Sequence, residues 1–304
     1  MTGLRETHRA WIVMVLLVLL WGYAWITAKI ALRYASALDA SVVRLVFGTL
    51  FLFVFVLWSR TSLRPAHWKW LIVIGVLQTA GLTISNNLAL VRGEPGGISM
   101  LTFTMPFWVA LIAWPALGER IRGWQWLAVL MALVGLVLIL QPWSLQASLL
   151  GKIIAVLGGI CWAIGVICAK YLQSRKRVDI INFTFWQTVC GTIPIVLAER
   201  MFDTATIEWN ATFVFCALFI GVGATGLGWV MWLYVLHRLP AGTTSLSSLG
   251  VPVVAGISSW LQLGERAGPV ELSGMILIGA ALALVSWLNI RQSQQTEPLL
   301  AKTS

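Results

Sequence analysis

The sequence contains few of the residues from which charged surfaces, metal centres and disulfide scaffolds are built. Charged residues make up 11% of its 304 residues, less than half of the roughly 25% found in soluble domains. The three histidines each lie near the end of an apolar segment. The four cysteines lie inside apolar segments and none has CxxC spacing. We therefore interpret the cysteines as buried apolar side chains and expect neither a metal site nor a disulfide framework.

Catalytic groups are also missing from the apolar segments. An intramembrane enzyme needs paired carboxylates, a His/Cys metal set or a nucleophile beside a base, and the sequence has none of these within the segments. The net charge of +10 does not indicate a nucleic-acid-binding protein, because Lys and Arg are dispersed in short clusters between apolar runs. We expect no enzyme activity, no cofactor, no metal and no nucleic-acid partner.

The chain is rich in long apolar segments. Residues of the AVILMFWYC set make up 59% of it, more than a soluble protein could hide, since chains of this size bury only about 75% of their unfolded surface. The apolar runs match the ~20 residues of a membrane-spanning helix and are twice as long as the ~10-residue strands of membrane barrels. The sequence predicts an all-α integral membrane protein with ten transmembrane helices, at about 11–32, 40–58, 69–91, 97–117, 123–141, 151–172, 180–198, 211–236, 242–263 and 270–290.

The distribution of positive charge predicts the orientation of these helices. With a cytoplasmic N-terminus, most of the 21 Lys and Arg residues fall on the cytoplasmic side, as the positive-inside rule requires. The outer loops then hold Arg33, Arg92, Lys152, Arg200 and Arg266. An even number of spans places both termini in the cytoplasm.

An internal repeat divides the chain into two halves. Aligning Gly96 with Gly242 also aligns Pro106 with Pro252 and brings a Gly-Glu-Arg turn at 118–120 onto a second one at 264–266. In the same way, aligning Trp21 with Trp162 places Lys29 on Lys170. We expect a first five-helix repeat over 1–145, a second over 146–290 and a cytoplasmic tail over 291–304. Because five is odd, the second repeat is inverted in the membrane, an architecture typical of secondary transporters.

The doubled pattern of a Pro-containing helix, a Gly-Glu-Arg turn and a Gly-rich last helix resembles the drug/metabolite transporter superfamily, EamA type. Helix 2 begins with the segment 39–44, which is also similar to that family, whereas helix 7 carries Phe185-Trp186-Gln187 where a matching Arg would be expected. Within the superfamily the chain is most similar to bacterial aromatic amino acid exporters. That resemblance rests on Trp162 in helix 6 and on the aromatic-x-x-Pro segment from Phe103 to Pro106.

Candidate substrate-binding residues come from helical faces and from deep aromatic rings. Helix 4 carries Ser99, Thr102, Phe103 and Pro106 at i, i+3, i+4 and i+7, which is one face. Helix 9 repeats the pattern. These faces either line a pathway or serve close helix packing, and deep tryptophans either stack on substrate or pack in the core. The complete set is Trp21, Trp25, Asn86, Ser99, Thr102, Phe103, Pro106, Trp162, Trp232, Ser245, Ser248 and Pro252.

Three cations lie within the spans. Lys29, Arg44 and Lys170 are each a few residues from a helix end, where a long side chain can reach the interface. The alternative is that one of them holds a substrate carboxylate or a gate carbonyl.

These observations together predict a multi-pass transporter of a bacterial inner membrane that exports small organic metabolites by alternating access. Amino acids with aromatic or large apolar side chains are the favoured substrates. A channel-like facilitator and an exporter of drugs or other metabolites remain as alternatives. The expected partners are the small-molecule substrate and the lipid bilayer, and we expect a monomer.

The topology gives a first testable prediction. A phosphatase reporter that is active only after export, fused after Lys302, should stay inactive because the C-terminus lies in the cytoplasm. The same reporter placed in the loop after Arg33 should be active. An active fusion at Lys302 would contradict the predicted orientation.

Overall fold

The structure is a computed structural model that describes residues 2–105, 107–109, 111–112, 123–141, 149–202, 206–236 and 250–300. Every regular element in these residues is helical. The predicted fold class is therefore confirmed: the chain is an all-α membrane protein of ten helices in two inverted five-helix repeats.

The first repeat holds five helices. They are α1 Thr2–Ala31, α2 Ala37–Trp58, α3 Trp68–Arg92, α4, which begins with Pro95–Thr102, and α5 Gln125–Leu140. Local sequence sets where the helices start. Ser36 caps α2 by accepting a hydrogen bond from the backbone N–H of Asp39 at 3.0 Å, and Pro95 occupies the first turn of α4, where no N–H is needed.

The second repeat holds the other five helices. They are α6 Leu149–Arg175, α7 Ile180–Phe202, α8 from Ala211–Leu218 through Phe219–Leu227 to Gly228–Leu236, α9 Gly250–Leu263 and α10 Pro269–Leu300. Asn210 caps α8 by accepting from the backbone N–H of Phe213 at 2.8 Å. The helix α10 continues to Leu300 and not to the expected end near 290, because its polar last turns lack the Gly that would stop a helix.

Length and apolar surface suit these helices to a bilayer. Six of them, α1, α2, α3, α6, α7 and α8, contain stretches of 22 to 25 residues that are long and apolar enough to cross a membrane. Shorter apolar helices occur at Trp126–Leu140, Gly250–Leu263 and Pro269–Ala281. Large apolar side chains such as Val54, Leu197 and Leu261 are exposed on the outside of the bundle, where a lipid environment makes such exposure favourable.

Helix packing follows a pseudo-two-fold axis that relates the repeats. The helix α1 packs against α9 as α6 packs against α4, and α2 packs against α8 as α7 packs against α3. The pairs α2–α7, α4–α9 and α5–α10 also pack together, and the axis maps each of these pairs onto itself. The two repeats detected in the sequence therefore also make equivalent helix–helix contacts.

A wide helical turn interrupts α3 and α8 at equivalent places. Gly75–Gly81 in α3 and Phe219–Leu227 in α8 are π-helical. A π-helical turn leaves backbone groups without their usual partners and is often found at functional sites. Both segments lie where the helix crosses its partner from the other repeat.

Glycines permit those two crossings. A Cβ on Gly191 of α7 would lie 2.5 Å from the carbonyl oxygen of Gly75, and a Cβ on Gly221 of α8 would lie 2.8 Å from that of Arg44, next to Gly48 on α2. Real Cβ atoms do not approach backbone so closely. The helices of each pair therefore contact one another backbone to backbone, as small residues allow in membranes.

We predict that Gly191→Ala destabilises the protein by about 1–3 kcal/mol, because the added methyl overpacks the α3–α7 crossing. The matched control is Gly279→Ala on α10, where a Cβ meets nothing within 4 Å and where the better helix propensity of Ala should be neutral or stabilising. Thermal unfolding in detergent measures both variants. An unchanged unfolding midpoint for Gly191→Ala would show that the crossing is looser than the structure indicates.

Candidate functional site

A cavity of about 100 Å³ lies where α1, α2, α3, α4, α6, α8 and α9 meet. We call it the central cavity. Both repeats contribute to its walls, so the cavity lies at the interface between the repeats. Inverted-repeat transporters bind their substrates at this interface. The volume of the cavity is several times what one water molecule requires, so it can receive a small solute.

One face of α1 forms a wall of the central cavity. Trp21, Ala24, Trp25 and Ala28 line it, at the i, i+3, i+4 and i+7 positions of a single helical face. The two alanines leave room for a solute, while the two indole rings offer apolar surface. Both tryptophans were predicted from the sequence as substrate-binding residues. The two alanines were not, although their helical spacing from the tryptophans places them on the same face.

The indole of Trp21 is fixed by the π-helical segment of α8. Its Nε1 donates a hydrogen bond to the carbonyl oxygen of Ala224 at 2.9 Å. The ring also contacts Trp229 edge to face at 5.8 Å and Trp232 at 5.7 Å between centroids. Gly228 makes this possible, because a Cβ there would lie 2.4 Å from the Trp21 Nε1. Trp232 therefore supports Trp21 from behind, whereas Trp229 lines the central cavity itself.

A second aromatic pair forms another part of the wall. Phe103 of α4 and Trp162 of α6 both line the central cavity, and their rings meet edge to face at 5.7 Å and 88°. Trp162 is the repeat equivalent of Trp21. The two equivalent indoles thus face one space from the two repeats.

Polar side chains of α3 and α4 supply hydrogen-bonding groups beside these rings. Thr102 donates to the amide oxygen of Asn86 at 3.0 Å, and the amide nitrogen of Asn87 donates to Ser41 at 2.8 Å. Thr102 and both asparagines line the central cavity. These bonds orient the two amides and leave their other polar atoms for a ligand.

Arg44 brings a positive charge into the wall, two turns inside α2. It lines both the central cavity and a smaller one of about 10 Å³ beyond it. Its Nε donates to the hydroxyl of Thr225 on α8 at 3.0 Å. In the part of the chain that the structure describes, no carboxylate makes an ion pair with its guanidinium. A charge at this depth costs free energy of insertion, and ionisable residues inside a membrane therefore usually serve a function.

The other repeat contains a neutral counterpart of this interaction. Gln187 of α7 donates to the hydroxyl of Thr79 on α3 at 3.3 Å. These two residues occupy the positions equivalent to Arg44 and Thr225, each one turn from the crossing glycine. The departure from the family pattern in helix 7 therefore makes the two crossings differ in charge, and of the two pairs only the one with Arg44 reaches the central cavity.

Several predicted residues lie away from the central cavity. The hydroxyl of Ser99 is fully buried and donates to the Gly96 carbonyl of its own helix at 2.8 Å. Lys29 donates to the carbonyls of Leu90 and Gly93 and so caps the end of α3.

Pro252 and Lys170 also lie elsewhere. Pro252 lines a different cavity, at the surface of the bundle, and Lys170 lies two turns beyond Trp162 on α6 and does not line the central cavity. Three further candidates, Pro106, Ser245 and Ser248, lie outside the described residues.

The structure also adds residues to the site. Leu82 and Leu90 of α3, Ala224 of α8 and Val251 of α9 line the central cavity. They are apolar residues in apolar helices, and no sequence signal separates them from ordinary packing residues. Trp229 and Asn87 carry more chemistry and were distinguishable only by their depth in the spans.

Comparison with known families places both halves of the chain in the same group. Residues 8–141 and 149–287 each match the EamA-like transporter family. The two matches coincide with the two sets of five helices described above.

Individual relatives are distant but cover most of the chain. A Bacillus subtilis protein named "Uncharacterized transporter YoaV" is 29% identical over 266 residues, 86% of this chain and 90% of its own. A Salmonella typhimurium protein named "Probable amino-acid metabolite efflux pump" is 26% identical and spans 88% of this chain and 91% of its own. A solved structure, described only as the crystal structure of a protein, superposes with a TM-score of 0.66 at 16% identity and covers 94% of this chain and 99% of its own, which shows a shared fold.

We predict that Trp21→Phe lowers the free energy of unfolding by about 1–3 kcal/mol, because the Ala224 carbonyl loses its donor inside an apolar bundle. Thermal or denaturant unfolding measures the change. Trp124→Phe is the matched control, since that indole is 67% exposed. Equal stability of the two variants would mean that the Trp21 hydrogen bond does not hold α8 in place.

Proposed function

Because this chain belongs to the EamA-like transporter family, we propose that it carries amino acids with aromatic or large apolar side chains out of the cell through the central cavity. The observation that carries the proposal is the guanidinium of Arg44, which lies in the wall of the central cavity among aromatic rings and has Thr225 as its hydrogen-bond partner. An arginine with free N–H groups suits a carboxylate, which it can bind in a bidentate manner.

The aromatic walls supply the preference for the side chain. Trp21, Trp25, Phe103, Trp162 and Trp229 surround the cavity. Planar substrate side chains gain from offset or edge-to-face contacts with such rings, about 0.5–1.5 kcal/mol for each pair beyond burial. The ring faces also attract an ammonium group. Once Arg44 holds the α-carboxylate, the described lining of the cavity offers no second cation to an acidic side chain, so we expect glutamate to be carried poorly.

The duplicated architecture supports alternating access. The π-helical segments of α3 and α8 lie at equivalent crossings, and both of these helices line the central cavity. Rocking of one repeat against the other would expose the cavity first to one side and then to the other. Export is the direction suggested by the relatives named as efflux pumps. A bacterial plasma membrane with both termini in the cytoplasm is the corresponding location.

We predict that Arg44→Gln abolishes discrimination between phenylalanine and phenylalanine amide. The wild-type protein should prefer the carboxylate by about 10- to 100-fold, because a hydrogen bond to a charged group contributes about 1.5–3 kcal/mol. Gln is a conservative choice, since the other repeat carries Gln187 at the equivalent position. Counter-flow of labelled substrate in proteoliposomes gives both values.

Arg200→Gln serves as the matched control, because the Arg200 side chain is 79% exposed and should leave the preference unchanged. A wild-type ratio in Arg44→Gln would remove Arg44 as the carboxylate anchor. Absence of counter-flow in the wild-type protein, with rapid net flux, would indicate a channel and not a carrier.

Aromatic selectivity has its own test. Phe103→Ala should lower the apparent affinity for phenylalanine about three- to tenfold, because the edge-to-face contact and its apolar surface are lost. Phe202→Ala is the control, with a ring that is 76% exposed. A transporter that moved glutamate faster than phenylalanine or tryptophan would contradict the proposed substrate class.

A further inference from the structure

A second and larger cavity of about 480 Å³ lies between α4, α9 and α10. We call it the lateral cavity. It shares no lining residue with the central cavity. Val253, Ile257, Trp260 and Ile276 line it and are between 50% and 65% exposed, so it opens sideways from the bundle and not along the transport pathway.

The charged residues that line the lateral cavity lie at one end of it, and apolar residues line the rest. Its charged residues lie at helix ends: Glu94 directly precedes α4, and Glu265 and Arg266 lie in the turn between α9 and α10. From there the lining becomes apolar and reaches Gly279, seven residues deeper on α10 than Leu272. Seven helical residues correspond to about 10 Å, so a charged end at the interface continues into an apolar groove within the bilayer.

Glycines create the room in this groove. The backbones of α4 and α9 touch, since a Cβ on Gly96 would lie 2.9 Å from the Cα of Gly256. A Cβ on Gly279 would meet nothing within 4 Å, although Gly279 is in the middle of α10. The space in front of Gly279 is therefore an empty groove bordered by three helices and open on its outer side.

The charged end carries unbalanced negative charge. Ser259 donates to the Glu265 carboxylate at 2.7 Å, while Glu94 makes no ion pair among the described residues. Burial, followed by the neighbouring carboxylates of Glu265 and Glu271, raises the pKa of the Glu94 carboxyl above its usual range. A cation next to Glu94 would relieve this cost.

The two neighbouring lysines are already engaged with other groups, whereas Arg266 is accessible. The Lys29 ammonium is held by the carbonyls that end α3. Lys152 donates to the carbonyl of Ile139 at 2.7 Å and lies 3.9 Å from Glu271. The Arg266 guanidinium lies 5.5 Å from the centre of the Trp260 ring, where it remains open to an anion from the solvent side.

We propose that the lateral cavity binds one phospholipid with a primary ammonium headgroup. One acyl chain occupies the groove in front of Gly279, the ammonium lies between Glu94 and Glu265, and the phosphate contacts Arg266. The sideways opening and the depth of about 10 Å favour a lipid over a soluble amine. The carboxylates favour a primary ammonium, which donates hydrogen bonds that a quaternary ammonium cannot donate.

Native mass spectrometry of the purified full-length protein tests this proposal. The protein is exchanged into micelles containing phosphatidylethanolamine, phosphatidylcholine or phosphatidylglycerol with identical acyl chains, and retained lipid is counted. One phosphatidylethanolamine should be retained at least about tenfold more tightly than either of the others, because charge-assisted hydrogen bonds are lost with them. In the double variant Glu94→Gln, Glu265→Gln this preference should fall to about onefold.

Two substitutions of glycine separate lipid binding from folding. Gly279→Leu should fill the groove and abolish retention of every lipid at an unchanged unfolding midpoint, because its Cβ meets no neighbour. Gly268→Leu is the matched control, since that position is equally open and lies outside the lateral cavity. Equal retention of all three lipids by the wild-type protein, or retention of phosphatidylethanolamine by Gly279→Leu, would overturn the proposal.

Discussion

The structure depends on the requirement that backbone hydrogen bonds be satisfied inside a bilayer. This requirement turns the apolar sequence into helices and makes every interruption of a helix costly. Two such interruptions, the π-helical segments of α3 and α8, occur where α3 and α8 cross a partner from the other repeat. At one of them the Trp21 indole donates to the Ala224 carbonyl. A side chain that lines the central cavity thus supplies the hydrogen bond for a backbone carbonyl in the interrupted helix. This bond links the fold directly to the site.

The two repeats share the residues that position the helices around the site, but they differ in the charge of one polar residue. Equivalent glycines at 48 and 191 permit equivalent helix crossings, and equivalent tryptophans at 21 and 162 face the same cavity. The polar pairs at these crossings differ in charge, since Arg44 bonds Thr225 while Gln187 bonds Thr79. A symmetric scaffold therefore presents a single guanidinium. The guanidinium gives the central cavity one part of its wall that is suited to an anion.

Sequence reasoning was strongest where a pattern repeats and weakest where contacts are made in three dimensions. The helical face of α4 and the deep tryptophans placed Thr102, Phe103 and Trp162 in one set, and the structure brings these three residues to the same cavity. The same face also included Ser99, whose hydroxyl bonds within its own helix. Helical spacing identifies neighbours on one helix, but not which neighbours reach past the first layer of packing. Lys29 shows the same limit, because its role as a cap on α3 depends on a helix end distant in sequence.

Composition, hydrophobic length and the internal repeat were enough to determine a ten-helix membrane protein built as two inverted halves, because the bilayer allows a strongly apolar chain few alternatives. The tertiary structure decided which helices meet at the central cavity and, among the described residues, gave Arg44 no carboxylate partner there. It also opened a lateral cavity in front of Gly279, a position that the sequence marks only as a small residue in an apolar helix. Cavities are the spaces that several helices leave between them, so they follow from the relative positions of the helices and from no single segment.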